Sequence, residues 1–255
     1  MSDAREPSGR RVTIDGYCTI GVDREFNLTE SALLEAMDRA GVDWAVIAPT
    51  DRMFAVENRE ANESIRAASL RHRKRFIPSC SVNPWFGTAA VAELERALGE
   101  GARVFLLHPF VQGFLANDEL IFPLLDLLQT RKIPVYIHTG QPGNSTPFQV
   151  VDLAERYPSV DFIIGHCGAT DFWNDAIEAG SSAANIYLDA SFSRPFHFAR
   201  YIESLGKKKG IMGSAAPLND LVFEWEQIRK YLPVETHDDL FGGNLLSLLE
   251  KEGSL

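Results

Sequence analysis

The chain has 255 residues and a formal charge of −10, with 45% hydrophobic and 24% charged residues. This balance excludes a disordered, collagenous or coiled-coil chain, and a chain of this length folds without disulfides or a structural metal. The acidic charge argues against nucleic acid and anionic membrane as partners.

Residues 1–10 are polar and read as a mobile arm, with no apolar core of the kind a secretory leader carries. From 11 to 255, short β-rich apolar runs alternate with longer segments of helical pattern. The runs are Val12–Asp15, Trp44–Ala48, Phe76–Ser81, Ala102–Leu107, Pro134–His138, Val160–Gly165, Ile186–Leu188 and Lys209–Gly213. After the first, Thr29–Ala40 repeats Leu33, Leu34 and Met37 at helical spacing behind Thr29 as N-cap. Ala89–Leu98 sets Val91, Leu94 and Leu98 on one stripe. Glu119–Leu128 does so with Leu120, Leu124 and Leu127, and Pro123 suits a first turn. The tail, Glu235–Glu250, reads as one closing helix. Eight apolar strands alternating with helices predict one α/β domain, a (β/α)8 TIM barrel. An open doubly wound sheet has less support, because no Gly-x-Gly-x-x-Gly follows the first strand. No stretch of 18 apolar residues exists to span a membrane. Cys18, Cys80 and Cys167 are sparse and lack zinc-type spacing, which suggests reduced thiols in a cytoplasmic protein.

In such a barrel the chemistry sits at the C-terminal ends of the strands. Those ends carry, in strand order, Tyr17 with Thr19, Thr50 with Asp51, Asn83, His108, His138, His166, Asp189 with Ser191, and Ser214 with Ala215. Three of the six histidines, His108, His138 and His166, end three successive strands. One strand-end histidine is more often a loop anchor, but three at equivalent positions point to a site. Imidazole can ligate metal or move protons, changing charge between about pH 5 and 8. His72 and His237 read as surface residues, and His197 as loop packing near the mouth. The basic runs Arg71–Arg75 and Lys207–Lys209 read as solvated. Phe54, Trp85, Phe86, Phe110, Phe114, Phe172, Trp173, Phe192 and Phe196 suit a flat, aromatic or apolar small molecule, and Arg52 and Arg194 a carboxylate.

The segments IDGYCTIG (14–21), SVNPW (81–85), LLHPFVQGF (106–114), PVYIHTGQP (134–142), FIIGHCGATDFW (162–173), NIYLDAS (185–191), GIMGSAAP (210–217) and FGGNLLSLL (241–249) fall on these strand ends. In this order and spacing the chain resembles the amidohydrolase superfamily, in its amidohydrolase-related (amidohydrolase 2) branch. The likeness covers most of the chain, and HTG, GHCG and GGN together carry it. It implies a barrel enzyme with one or two divalent metals, often zinc. The family's ligands are a His-x-His pair on strand 1, histidines ending strands 5 and 6, and an aspartate ending strand 8. In its decarboxylase-like branch the strand 6 histidine works as an acid/base residue. His138 falls on the strand 5 position and His166 on the strand 6 position. The strand 1 pair is occupied by Tyr17 and Thr19, and Gly-Ser-Asp reads Gly213-Ser214-Ala215. Alanine cannot ligate, and neutral Tyr and Thr are weak zinc ligands. The family metal site is therefore expected to be degraded and no cofactor is expected. A zinc site rebuilt from His108, His138 and His166 is the alternative. Strand alternation should turn Cys18 away from the pore.

The expected function is that of an amidohydrolase-related hydrolase or lyase acting on a small aromatic or carboxylated substrate. It would work by hydrolysis or decarboxylation through histidine acid/base chemistry, without the family metal. His138, His166 and Tyr17 are the expected catalytic residues. His108, Thr19, Arg52, Asp189, Ser191, Ser214 and Trp85 are expected to bind substrate. Without Lewis-acid help an unactivated amide is a hard target, so activated esters, lactones and carbon acids suit better. A non-catalytic barrel, serving as a small-molecule binder or as the partner of an active homologue, is the second reading. A homodimer is expected from apolar loops and from the family's habit of pairing barrels.

Overall fold

The computed structural model describes residues 12–24, 26–169 and 171–251. The arm expected at 1–10 lies outside the described residues. Eight parallel strands pair in chain order: β1 (Ile14–Thr19), β2 (Trp44–Ala48), β3 (Phe76–Ser81), β4 (Val104–Leu107), β5 (Val135–His138), β6 (Phe162–Gly165), β7 (Ile186–Asp189) and β8 (Gly210–Ile211). Helices fill the crossovers between them. The segment from β8 onward returns to β1. The Gly16 N–H donates to the Met212 carbonyl at 2.8 Å, Ala215 N–H to Tyr17 at 3.0 Å and Thr19 N–H to Ala216 at 2.7 Å. These bonds close the sheet into a single (β/α)8 barrel. Gly16 permits the seam, since a Cβ there would lie 2.9 Å from Ile211 Cγ2.

Alternation along each strand builds two cores. Outward residues such as Phe105, Leu107, Val135 and Ile164 pack on helix residues Leu33, Met37, Leu94 and Leu124. Inward residues Ile14, Val46, Ile77, Val104, Leu106, Tyr136 and Ile163 fill the barrel, and Leu245, Leu248 and Leu249 join them. Cys18 belongs to the outer core, turned from the pore as alternation requires. All three cysteines are buried and unpaired. Among the described residues no helix is long and apolar enough to cross a membrane.

Local signals account for the helix starts. Thr29 Oγ1 accepts the Ala32 N–H at 3.2 Å, and the helix Glu30–Ala40 ends at Gly41 in the left-handed region. Pro123 sits in the first turn of Phe122–Arg131, which follows a short 3-10 turn, Glu119–Ile121. Two expectations need correction. β1 does not stop at Asp15 but runs on to Thr19, across a register shift between Asp15 and Cys18. The tail is not one helix. It divides into Val234–Asp238, a wider π segment Asp239–Gly243, and Asn244–Leu249. The break has a packing cause: a Cβ at Gly242 would lie 2.3 Å from the Val12 carbonyl oxygen. Asn244 Nδ2 then donates to the Lys207 and Gly210 carbonyls, each at 2.7 Å, pinning the tail under β8.

Candidate active site

The HTG and GHCG motifs clamp each other at the ends of β5 and β6. Thr139 Oγ1 donates to the Gly165 carbonyl at 2.7 Å and accepts the Gly168 N–H at 3.0 Å. The chain then turns through left-handed His166 (φ 63°) and Cys167 (φ 47°), a conformation that costs roughly 1–2 kcal/mol per non-glycine residue. This turn lays the His166 ring against His138, with Nε2 of His166 3.0 Å from Nδ1 of His138. On its other side His166 Nδ1 lies 2.7 Å from Ser191 Oγ. The Ser191 hydroxyl donates to Asp189 Oδ2. The same oxygen accepts from the Tyr136 hydroxyl at 2.7 Å and from the His166 backbone N–H at 3.2 Å. Two buried atoms of this network, His138 Nε2 and Asp189 Oδ1, have no hydrogen-bond partner among the described residues.

An aromatic box surrounds His138. Tyr17 meets it edge-on with ring centroids 4.9 Å apart and stacks on Tyr136 at 5.1 Å. Phe54 meets it edge-on at 5.6 Å, and His108 stacks on it at 4.1 Å. Phe192, 38% exposed, stands edge-on to His166 at 5.0 Å and faces the mouth. Thr19 Oγ1 donates to the Tyr17 hydroxyl at 3.3 Å, so the hydroxyl keeps its own proton for an acceptor in the pore. Beneath Tyr17, Asp15 holds β1 to β8. Its carboxylate accepts the Tyr17 N–H at 3.1 Å, the Ser214 N–H at 3.0 Å and the Trp225 indole N–H at 2.7 Å.

Burial sets the charge state. It lowers His108 to about 4, His166 to about 3 and His138 well below the ordinary imidazole range, so all three are neutral at neutral pH. Burial raises Asp189 to about 6, against the pull of hydrogen bonds from Ser191, Tyr136 and His166. Asp189 is therefore ionised at neutral pH. The imidazole titration expected between about pH 5 and 8 is moved down by desolvation, and Asp189 takes that window.

The structure brings together Tyr17, Thr19, His108, His138, His166, Asp189 and Ser191. It sets three expected residues elsewhere. Ser214 is buried with its hydroxyl turned into its own turn, accepting the Ala216 N–H at 3.1 Å and lying 3.6 Å from Cys18 Sγ. Arg52 pairs with Glu57 at 2.7 Å with its side chain 77% exposed, on a rim cavity of about 560 Å³ beside Asp23, Asp51 and Leu218. Trp85 is exposed on the 3-10 turn Pro84–Phe86, and its indole N–H donates to the Gly113 carbonyl at 3.3 Å. His72 and His237 are half-buried instead of solvated. His72 Nε2 meets Glu30 at 3.0 Å, and His237 donates to the Leu232 carbonyl at 3.1 Å. His197 stacks on Trp173 at 4.2 Å. Lys209, expected to be solvated, donates to the Ala183, Ala184 and Ile186 carbonyls.

Asp15 and Tyr136 were not legible as site residues, whereas Phe54, expected among the mouth aromatics, lies against His138. Tyr136 sits two residues before His138, hence on the same strand face, and that spacing is the signal that finds it. The rebuilt three-histidine site does not assemble. His108 and His138 are stacked with an interplanar angle of 16°, so no ion can lie in the plane of both rings. Among the described residues no group of three or more His, Cys, Asp or Glu side chains is placed to hold a metal ion.

No curated protein matches the chain. Solved structures do, and at these identities they speak for the fold. An uncharacterised TIM-barrel protein from Bordetella bronchiseptica is 17% identical, with a TM-score of 0.78 over 94% of this chain and 99% of its own. The 5-carboxyvanillate decarboxylase of Sphingomonas paucimobilis is 16% identical, with a TM-score of 0.75 over 94% and 99%. A dihydroxybenzoic acid decarboxylase from Polaromonas sp. JS666, solved with bound manganese and 2-nitroresorcinol, is 14% identical, with a TM-score of 0.75 over 94% and 97%. The amidohydrolase family profile matches residues 24–248, from just past β1 to the closing helix, and the chain belongs to that family.

Proposed function

We propose that the chain is a lyase-type barrel enzyme that decarboxylates a small aromatic carboxylate without a bound metal. The observation that carries this reading is the unpartnered Nε2 of His138, a buried neutral base inside an aromatic box. Tyr17 and Phe54 stand edge-on to His138 and Phe192 edge-on to His166, an aromatic lining that suits a flat ring. A hydroxyaryl carboxylate supplies its own electron sink. Proton transfer to the ring carbon and loss of carbon dioxide then need a positioned base and donor. His138 Nε2 takes the substrate's phenolic proton and returns it to the carboxyl-bearing ring carbon. As carbon dioxide leaves, the C–C electron pair restores the aromatic ring as a phenolate, which takes a proton from water. The Tyr17 hydroxyl donates to the negative oxygen. The decarboxylases of this fold support the substrate class.

The residues present do not fit a divalent ion such as the manganese bound in the Polaromonas barrel. Tyr17, Thr19 and Ala215 stand where the family's strand 1 and strand 8 ligands fall, and Ala215 packs with Tyr17 in the inner core. His138 Nδ1 is engaged by His166. A homodimer in solution belongs to the same proposal, and sedimentation at micromolar concentration checks it.

The test is a panel of hydroxybenzoates, aryl esters and lactones offered to protein dialysed against a chelator, with carbon dioxide and product followed. The expected result is turnover of a hydroxybenzoate that yields, in D2O, one deuterium on the vacated carbon. Turnover that appears only with added manganese or zinc overturns the metal-free reading. Ester or lactone cleavage alone moves the activity to the hydrolases. An inert protein whose melting temperature rises with a panel member is a binder.

A further inference from the structure

We propose that Asp189 is a positioning residue that fixes, through Ser191 and His166, which nitrogen of His138 faces the pore without a proton. Proton positions follow from what each atom can donate or accept. An ionised carboxylate only accepts, so the single Ser191 proton goes to Asp189 Oδ2. Ser191 Oγ must then accept, and the proton between it and His166 lies on His166 Nδ1. A neutral imidazole carries one N–H, so His166 Nε2 is an acceptor and the facing His138 Nδ1 is the donor. His138 Nε2 is left as a bare lone pair, and it is the nitrogen that meets no partner among the described residues. Each step leaves one choice, and the chain ends at the atom the pore would use. Burial keeps both imidazoles neutral, so each carries a single N–H.

Both histidines are thereby held in the Nδ1–H form, whereas free histidine favours Nε2–H. The Tyr136 hydroxyl donates to the same Asp189 oxygen at 2.7 Å and lies 3.4 Å from Ser191 Oγ, too far to compete with Asp189 for the Ser191 proton, and Asp189 is wholly buried. Tyr136 therefore supports the carboxylate without setting a tautomer. The inference rests on the proposed function only for the use of that lone pair as a base. The tautomer is a property of the resting protein and is read without any substrate.

Long-range ¹H–¹⁵N correlation spectra of the ¹⁵N-labelled wild-type protein, slightly above neutral pH, read the protonated nitrogen of each histidine. The expected result is Nδ1–H for both His138 and His166. Nε2–H on His138 overturns the proposal, whatever the variants do. Ser191→Ala removes the acceptor of the His166 proton and should move His138 to Nε2–H. Tyr136→Phe removes a hydrogen bond to the same carboxylate oxygen and should leave both tautomers in place. An unchanged His138 in Ser191→Ala, or a switched one in Tyr136→Phe, overturns the relay. With a turned-over substrate, Ser191→Ala should lower kcat by about 10²–10⁴-fold with KM little changed, as expected for a mis-set tautomer. If the tautomers stand as expected and no substrate is turned over, the functional reading fails and this one survives.

Discussion

A buried nitrogen without a partner costs stability, and replacing it with an apolar group would remove that cost. His138 Nε2 is such an atom, which marks it as a residue with a use. His138→Asn should cut turnover by about 10²–10⁴-fold with little change in KM, because proton transfer acts in the transition state. Tyr17→Phe should cost less, roughly 10–100-fold, if its hydroxyl only donates to developing charge. Arg52→Gln should leave the steady-state rate within about twofold, since an exposed ion pair holds it at the rim. Strand-end position made the three histidines legible in the sequence. It could not separate His166 and His138, joined edge to edge, from His108, which stacks on a ring face and accepts the Val111 N–H at 3.4 Å. Ser214 misled because a strand-end hydroxyl can turn backwards into its own turn, and only the backbone decides that.

At the scale of elements, strand and helix positions were read well where one local signal dominated. Thr29 and Pro123 marked helix starts, and apolar runs marked β2 and β3 to the residue. The failures lie where a distant contact decides. Asp15 looks like the end of a strand because a carboxylate interrupts the apolar run. It is tolerated because three donors, from Tyr17, Ser214 and Trp225, converge on it from β1, the segment after β8 and the helix Leu221–Tyr231. The Gly242 break in the tail depends on Val12, more than two hundred residues away. Asp15→Ala would strand three donors in a dry core at about 1–3 kcal/mol each. A loss on the order of 3 kcal/mol or more follows, lowering the melting temperature by roughly 6–12 °C in calorimetry. Thr29→Ala, losing one exposed cap bond, should cost only about 1 kcal/mol.

For the molecule as a whole, the neutral histidine cluster ties folding to pH. An unfolded histidine takes a proton near pH 6.5, whereas His108 waits until about 4 and His166 until about 3, with His138 lower than ordinary too. As pH falls below about 6.5 the unfolded chain binds protons the barrel refuses, so stability falls with it. Asp189 works the other way. Its folded value of about 6 lies above the unfolded carboxylate value, so it adds stability as pH falls through that window. Asp15, also raised by burial, acts in the same sense as Asp189. The three refusing imidazoles oppose the two raised carboxylates and set the direction of the change. The melting temperature should therefore decline as pH falls from about 6.5 to 4, with net proton uptake on unfolding. His108→Gln removes one refusing imidazole while leaving the His138–His166 pair and Asp189 in place. Its melting temperature should decline less steeply than that of the wild type over the same range. A variant that declines as steeply as wild type would show that His108 is already charged in the barrel, against the burial that holds it neutral.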